Sequence, residues 1–190
     1  MKDAYIQDKT FEKIDFTKSL PEKSDYENCS FINCIFSNTD LSRISFIDCS
    51  FINCNLSSAK LIKTAFKNIK FTNCKLLGLH FDDCESFLFE VNFKSCQLSL
   101  SSFYKMKIKK TNFENSNLSE VDFTGADLTN AIFNNCDLAN AKFEHTILEK
   151  VDLRMAKNYI IDPEINKIKK AKFSYPGVLG LLNKYDIDID

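Results

Sequence analysis

Nearly every fifth residue of this chain is large and apolar, and a period of five excludes most ordinary ways of folding. One register runs Phe11, Phe16, Tyr26, Phe31, Phe36, Leu41, Phe46, Phe51, Leu56, Leu61, Phe66, Phe71, Leu76, Phe81, broken only by Pro21. A second, two residues out of step, runs Phe93, Leu98, Phe103, Ile108, Phe113, Leu118, Phe123, Leu128, Phe133, Leu138, Phe143, Leu148, Leu153. Of the 18 Phe in the sequence, 15 lie on these registers. Chance placement would put roughly 2.6 there, so the period is structural.

Two residues before each of these positions stands a small or apolar one, as in Cys29, Cys34, Thr39, Ile44, Cys49 and Cys54, and later Val121, Ala126, Ala131 and Cys136. The other three residues of each unit carry nearly all the Lys, Asp, Glu and Asn. Two inward and three outward positions per five fit neither a 3.6-residue helix nor strand alternation, so the chain must bend at every unit. A hairpin meander would mark its reversals with Gly and Pro, and the sequence has only 4 Gly and 3 Pro. A five-residue unit cannot bury its own centre; it must coil with its neighbours and stack on further coils, as solenoids do. The expected fold is therefore an all-β parallel β-helix whose inward core includes Phe31, Phe51, Phe71, Phe93, Phe113, Phe123, Phe133 and Phe143. From Phe113 to Phe143 Phe and Leu alternate without exception, which stacks like on like when a coil holds an even number of units.

The run Ala126-Asp127-Leu128-Thr129-Asn130 followed by Ala131-Ile132-Phe133-Asn134-Asn135 resembles the A-[DN]-L-x-x repeat of pentapeptide repeat proteins, over about residues 11 to 157. That resemblance implies a right-handed quadrilateral β-helix with four units, 20 residues, per coil. Within the family the chain is most similar to the Qnr-type quinolone-resistance proteins. The opening Phe11-Glu12-Lys13-Ile14-Asp15-Phe16, the break at 82–92, and a tail with Ile161-Asp162-Pro163-Glu164 and Ala171-Lys172-Phe173 carry this similarity. It implies a non-enzymatic partner of DNA gyrase and topoisomerase IV that protects them from quinolones, partly by imitating DNA, and a dimer formed through the C-terminal cap. The repeat runs on through Phe103-Tyr104-Lys105-Met106 where the longer Qnr proteins project a loop. The competing class is a β-helical interaction scaffold with a different protein partner.

Length and charge set the remaining bounds. A chain of 190 residues is one domain's worth, divided here into a repeat region 1–159 and a cap 160–190. Lys+Arg 25 against Asp+Glu 26 gives a formal charge of −1, a poor match to a direct nucleic-acid binder. The start has no apolar leader and no segment approaches a membrane span, so the expected location is the cytoplasm. Charge is nonetheless segregated along the chain. Residues 121–149 hold Asp122, Asp127, Asp137, Glu144 and Glu149 against Lys142, whereas Lys60 to Lys75 holds five Lys and no acid. The candidate partner-contact residues are Asp122, Asp127, Asp137 and Glu144, with Asp82, Asp83, Glu85 and Glu90 at the break. There Phe87, Leu88 and Phe89 form either a packed bulge, the favoured reading, or a binding loop.

The Cys29/Cys34 and Cys49/Cys54 pairs have a spacing seen in metal sites. All eight Cys occupy the small inward position, however, where a thiol acts as a compact hydrophobe, so neither metal nor cofactor is expected. His80 and His145 stand at outward positions with no nucleophile beside them, and a convex rod offers no cleft to shift the pKa of Asp82 or Asp83. After Pro163 the repeat loosens. Ser174-Tyr175-Pro176 then offers a helix start, and Val178, Leu179, Leu181 and Leu182 give that helix an apolar face. Together with Ile187 and Ile189 they are the candidate dimer contacts.

Overall fold

In the computed structural model, which describes residues 4–188, every strand pairs in parallel with the strand one coil away. The strands are β1 (Ala4–Gln7), β2 (Thr10–Glu12), β3 (Ser24–Glu27), β4 (Ser30–Ile32), β5 (Ser45–Ile47), β6 (Ser50–Ile52), β7 (Ala65–Lys67), β8 (Ile69–Thr72), β9 (Val91–Lys94), β10 (Asn112–Glu114) and β11 (Ile132–Asn134). One face of the helix is the sheet β1-β3-β5-β7, and the next is β2-β4-β6-β8-β9-β10-β11. Two further faces are held by single bridges. Asp15, Ile35, Asn55, Lys75, Gln97, Asn117, Asp137 and Lys157 form the third, while Asp40–Lys60 and His80–Ser102–Asp122–Lys142 form the fourth. Partners such as Phe11↔Phe31 and Phe113↔Phe133 are 20 residues apart, the coil length that four five-residue units make. The chain is the parallel β-helix that its period requires.

The corners explain how so few glycines turn the chain so often. At almost every corner one residue has a positive φ, and among the described residues eleven of the 27 non-glycine residues in that conformation are Asn. In the turn Phe36-Ser37-Asn38-Thr39, Asn38 has φ 58° and the Thr39 N–H donates to the Phe36 carbonyl at 3.0 Å. This is a type II turn, whose third residue must be left-handed, and Asn tolerates that region better than other L-residues. Lys, Arg and Leu at other corners, such as Leu100 at φ 62°, bear more strain, which the ladder of backbone hydrogen bonds above and below offsets.

Inside, the large positions stack into columns. Phe31 lies on Phe51 at 4.8 Å and Phe113 on Phe133 at 4.8 Å, their planes nearly parallel, while rings reaching in from opposite faces meet edge-on, as Phe113 does with Phe123. The eight core phenylalanines expected from the period are all buried. The small inward position has a second requirement. Several of its polar residues donate to a carbonyl one coil earlier: Cys54 Sγ to Phe31 O at 3.3 Å, Cys74 Sγ to Phe51 O at 3.3 Å and Thr64 Oγ1 to Leu41 O at 2.8 Å, whereas Thr39 Oγ1 finds no partner among the described residues. Cys54, Cys74 and Thr64 thus fill a small space and satisfy an acceptor that Ala would leave to the ladder alone.

The register break takes up two extra residues in one coil, since β8 pairs with β9 at Ile69↔Val91. Glu85 N still bonds Thr64 O and Glu90 N bonds Phe66 O, so the surplus is confined to residues 86–89. The structure divides the apolar residues of this segment instead of tucking all of them inside. Phe89 turns in and meets Phe66 at 6.4 Å and Phe81 at 6.3 Å. Phe87 and Leu88 stand out at 67% and 63% exposure, with Leu88 at φ 58°. One ring fills the place that the column offers there; the remaining two have no room in it.

At the C-terminal end, bridges Ile147↔Lys167 and Asp152↔Lys172 carry the ladder into residues 160–172, so the segment 160–190 holds a last stretch of coil as well as the cap. The cap is a 3₁₀ helix, Pro176–Leu181, followed by a short one, Asn183–Tyr185. Ser174 Oγ accepts the Gly177 N–H at its start, as the Ser-Tyr-Pro signal predicts. The helix lies so close to Tyr159 that a Cβ at Gly180 would collide with the Tyr159 carbonyl, and the Gly180 carbonyl accepts the Ile161 N–H at 3.0 Å.

Candidate interaction surface

On a solenoid the outward residues are free to choose a partner, and what matters is which of them the coil places side by side. Asp122, Asp127 and Asp137 stand just before the inward Phe123, Leu128 and Leu138, and each accepts a backbone N–H two residues on, from Thr124 at 2.8 Å, Thr129 at 3.1 Å and Ala139 at 3.2 Å. Asp15, Asp40, Asn55, Asn117, Asp152 and Asp162 do the same. These are Asx turns. Half-buried carboxylates of this kind shape the corner as well as charging the surface.

The 20-residue coil then separates them. Asp122 bridges Ser102 and Lys142 on the fourth face, Asp137 bridges Asn117 and Lys157 on the third, and Asp127 bridges Lys107 and Ile147 on the first. Asp127 also pairs with Lys109 at 3.0 Å. Burial raises its pKa, yet the Thr129 hydroxyl and the Lys109 ammonium together outweigh that and hold it below the usual carboxylate range. Asp82 lies on the fourth face with Asp122, its Oδ1 3.6 Å from His80 Nδ1, and the exposed Glu144 follows Phe143 on that face. Asp83, Glu85 and Glu90 are exposed around the 86–89 loop. The structure therefore brings Asp82, Asp83, Glu85 and Glu90 together at one corner, with Phe87 and Leu88 projecting between them and Lys67 Nζ 5.8 Å from the Phe87 ring. It adds exposed Ile62 and Tyr104 to the fourth face, which the period, blind to outward positions, gave no reason to single out.

Of the candidate dimer residues, Val178, Leu179 and Ile187 are exposed, Leu182 is half-buried, and Leu181 packs back against the core; Ile189 lies outside the described residues. Around them Ile160, Ile165 and Tyr175 are exposed as well. Lys184 ties the cap down, donating to Asp162 and Glu164 at 2.7 Å each.

All eight cysteines are buried free thiols. Burial pushes Cys49 up to about 12 and Cys136 up to about 11, so neither is a ready nucleophile. Among the described residues, no group of three or more His, Cys, Asp or Glu is placed to hold a metal ion. A concavity of about 590 Å³ opens on the second face around Ile132, Met155 and the Asp152–Arg154 ion pair, with no Ser, Cys or His on its walls. Among the described residues no helix is long and apolar enough to cross a membrane.

The comparisons with known proteins agree with this geometry. A family model described as Pentapeptide repeat region matches residues 24–86 and 86–157. Among solved structures, a trypsin-treated variant of QnrB1, described as a plasmid-mediated fluoroquinolone resistance protein, superposes with a TM-score of 0.62 at 17% identity, over 98% of this chain and 100% of that one. A second trypsin-treated QnrB1 variant gives 0.57 at 18% identity over 99% and 98% of the two chains. HetL from the cyanobacterium Nostoc sp. strain PCC 7120, a pentapeptide repeat protein involved in heterocyst differentiation regulation, gives 0.45 at 18% identity over 88% and 86%. No curated protein sequence matches the chain.

Proposed function

The chain belongs to the pentapeptide repeat family, and from that premise we propose that it is a non-enzymatic cytoplasmic protein that docks on type II topoisomerases and protects them from quinolones. A scaffold built for interaction suits this fold, which presents a convex, regularly spaced surface along its stacked coils. The observation that carries the choice of partner is the end-to-end likeness of the coil to QnrB1, a fluoroquinolone resistance protein. The contact surface in this reading is the fourth face, with Asp122 and Glu144 along it, and its corner, where Asp82, Asp83, Glu85 and Glu90 lie around the projecting Phe87 and Leu88. Asp127 and Asp137, turned to other faces, contribute through shape and not through direct contact.

The cap is the proposed dimer interface. Val178, Leu179 and Ile187, with Ile160 and Tyr175, form an apolar end that a second copy covers about a two-fold axis. Replacing Val178 and Leu179 with Asp gives monomers by light scattering, whereas a wild type already monomeric ends that part of the reading.

The test is gyrase supercoiling with ciprofloxacin present, titrating the protein in, with a parallel titration lacking drug. Rescue at near-stoichiometric protein, lost on replacing Phe87 and Leu88 with Ser, supports the proposal. Inhibition without rescue points to a gyrase inhibitor. No effect in either arm favours the second reading, a scaffold for another protein partner, to which the mixed charge of the fourth face, Lys60, Lys63 and Lys142 among its acids, lends support.

A further inference from the structure

The first face is electrically bipolar. Its outward positions belong to rows stacked one coil apart: Asp8 on the first, Asp25 and Glu27 on β3, Asp48 after β5, Lys67 on β7, and Glu85 and Glu90 on the inserted loop. Beyond the loop the face continues through the bridges Lys107↔Asp127, Asp127↔Ile147 and Ile147↔Lys167. Up to the loop this face holds six acids and one Lys. Past it stand Lys107, Lys109 and Lys110 on one row, Lys150 two rows on, and Lys167, Lys169 and Lys170 on the last, against Asp127 and Glu149. The two halves carry −5 and +5 in a protein whose formal charge is −1. Apart from Lys109 with Asp127, none of these charges has an ion-pair partner within the chain among the described residues. Each of the other three faces mixes its signs along its length, for example Asp40, Lys60, Asp122 and Lys142 on the fourth.

We infer that this face pairs with the same face of a second copy, the two rods antiparallel, about a two-fold axis passing between the Glu85–Glu90 row and the Lys107–Lys110 row. In that register each row meets one of opposite or neutral sum. The lysine row 107–110 faces Glu85 and Glu90 of the second copy, Asp127 faces Lys67, Lys150 with Glu149 faces Asp48, and Lys167, Lys169 and Lys170 face Asp25 and Glu27. Because the contact is isologous, every such pairing occurs twice. The axis also falls where the face is least flat. Phe87 and Leu88 project on one side of it, and astride it a concavity of about 380 Å³ opens between Phe89, Glu90, Val91 and Asn92 on the loop side and Lys107, Lys109, Lys110 and Thr111 on the other. Antiparallel pairing thus sets the apolar loop of each copy against the concavity beside the exposed lysine row of the other, removing from water two side chains that the monomer leaves exposed.

Size and chemistry fix the character of the complex. At about 4.8 Å per coil the face is roughly 40 Å long, and at about 12 Å wide it offers on the order of 500 Å² per copy, near the lower bound for a specific interface. Charge supplies the orientation, so the pairing is weak and salt-sensitive. It shares no residue with the apolar cap proposed above as a dimer interface, and cap pairing survives salt. It also does not depend on a topoisomerase being the partner.

The experiment is sedimentation velocity of the full chain at about 50 mM and about 500 mM NaCl. The expected result is a salt-reversible doubling of mass, with association weakened about ten-fold or more at the higher salt. Two charge-reversed variants identify the surface: one carries Lys167→Glu, Lys169→Glu and Lys170→Glu, the other Asp25→Lys and Glu27→Lys. Alone, each sets like charges against like twice over and loses the salt-sensitive species. Mixed in equal amounts they restore it, because in the heterodimer both contacts are again between opposite charges; this recovery also shows that both variants are folded. A mass unchanged between the two salts overturns the inference, and so does a mixture that associates no better than its components.

Discussion

Removing one ring from the middle of the aromatic column measures how the coils hold together. Phe113 is fully buried, stacked between Phe93 at 5.2 Å and Phe133 at 4.8 Å, and touched edge-on by Phe103 and Phe123 at 6.1 Å each. A buried Phe→Ala change costs about 3–5 kcal/mol, depending on how far the surroundings collapse into the hole. Here they cannot collapse, because β9, β10 and β11 are tied in register and fix the neighbouring rings one coil apart. Four ring contacts, each worth about 0.5–1.5 kcal/mol beyond buried area, are lost as well, which places Phe113→Ala at the upper end, about 5 kcal/mol. Phe113→Leu costs only about 1–1.5 kcal/mol, since Leu153 occupies an equivalent inward position further along the same face. Phe11, half-exposed on an end coil and stacked in its column on Phe31 alone at 4.9 Å, loses about 1–2 kcal/mol on replacement by Ala. Urea unfolding of the three variants, compared at matched slopes, reads these values directly. A Phe113→Ala cost below about 2 kcal/mol, or one no greater than that of Phe11→Ala, refutes the reasoning that the ladder holds the cavity open.

Three further outcomes follow from the corners, the carboxylates and the thiols. Gly125 has φ +68° and an added Cβ would meet Lys105 Cγ at 3.0 Å, so Gly125→Ala costs about 1 kcal/mol by thermal unfolding, whereas Asn33→Gly, at φ 54°, is neutral within about 0.5 kcal/mol. Asp40 is held below its ordinary pKa by the Ser42 hydrogen bonds and Asp152 by Arg154. Their folded values lie below the unfolded ones, so their contribution is complete above about pH 4 and is lost as the pH falls through the folded values. Asp40→Asn with Asp152→Asn keeps both turns and flattens the acid limb of a stability–pH curve; an unchanged limb sinks the assignment. All eight thiols are buried, so a thiol-colouring reagent at about pH 8 finds no fast-reacting group in the native protein and all eight cysteines in urea, and a rapid native phase contradicts the packing.

How much of this was legible beforehand differs by position in the unit. The two inward positions were readable residue by residue, because a core column takes Phe, Leu, Ile or Tyr26, and the position two before it takes small or aliphatic residues such as Cys, Ala, Thr, Val and Ile. The left-handed corner was half-legible: Asn33, Asn53 and Asn73 are the residues that conformation favours, whereas Arg43 or Leu100 in the same place gives no local sign of it. The 82–92 break was visible as a slip of register, but not its division into an inward Phe89 and an outward Phe87 and Leu88, which depends on how much space Phe66 and Phe81 leave.

By itself, then, the sequence determined that the chain coils, since a five-residue period of large and small apolar side chains has no other way to leave water. Only the tertiary structure decided who stands beside whom on the outside. Asp122 and Asp127 are five residues apart and face different directions, while Lys107 and Lys167 are sixty apart and share a face, because closing the coil every 20 residues converts distance along the chain into height along the rod. Outward side chains bury little, so no local rule constrains them; their arrangement into an acidic half and a basic half exists only once the coils are stacked.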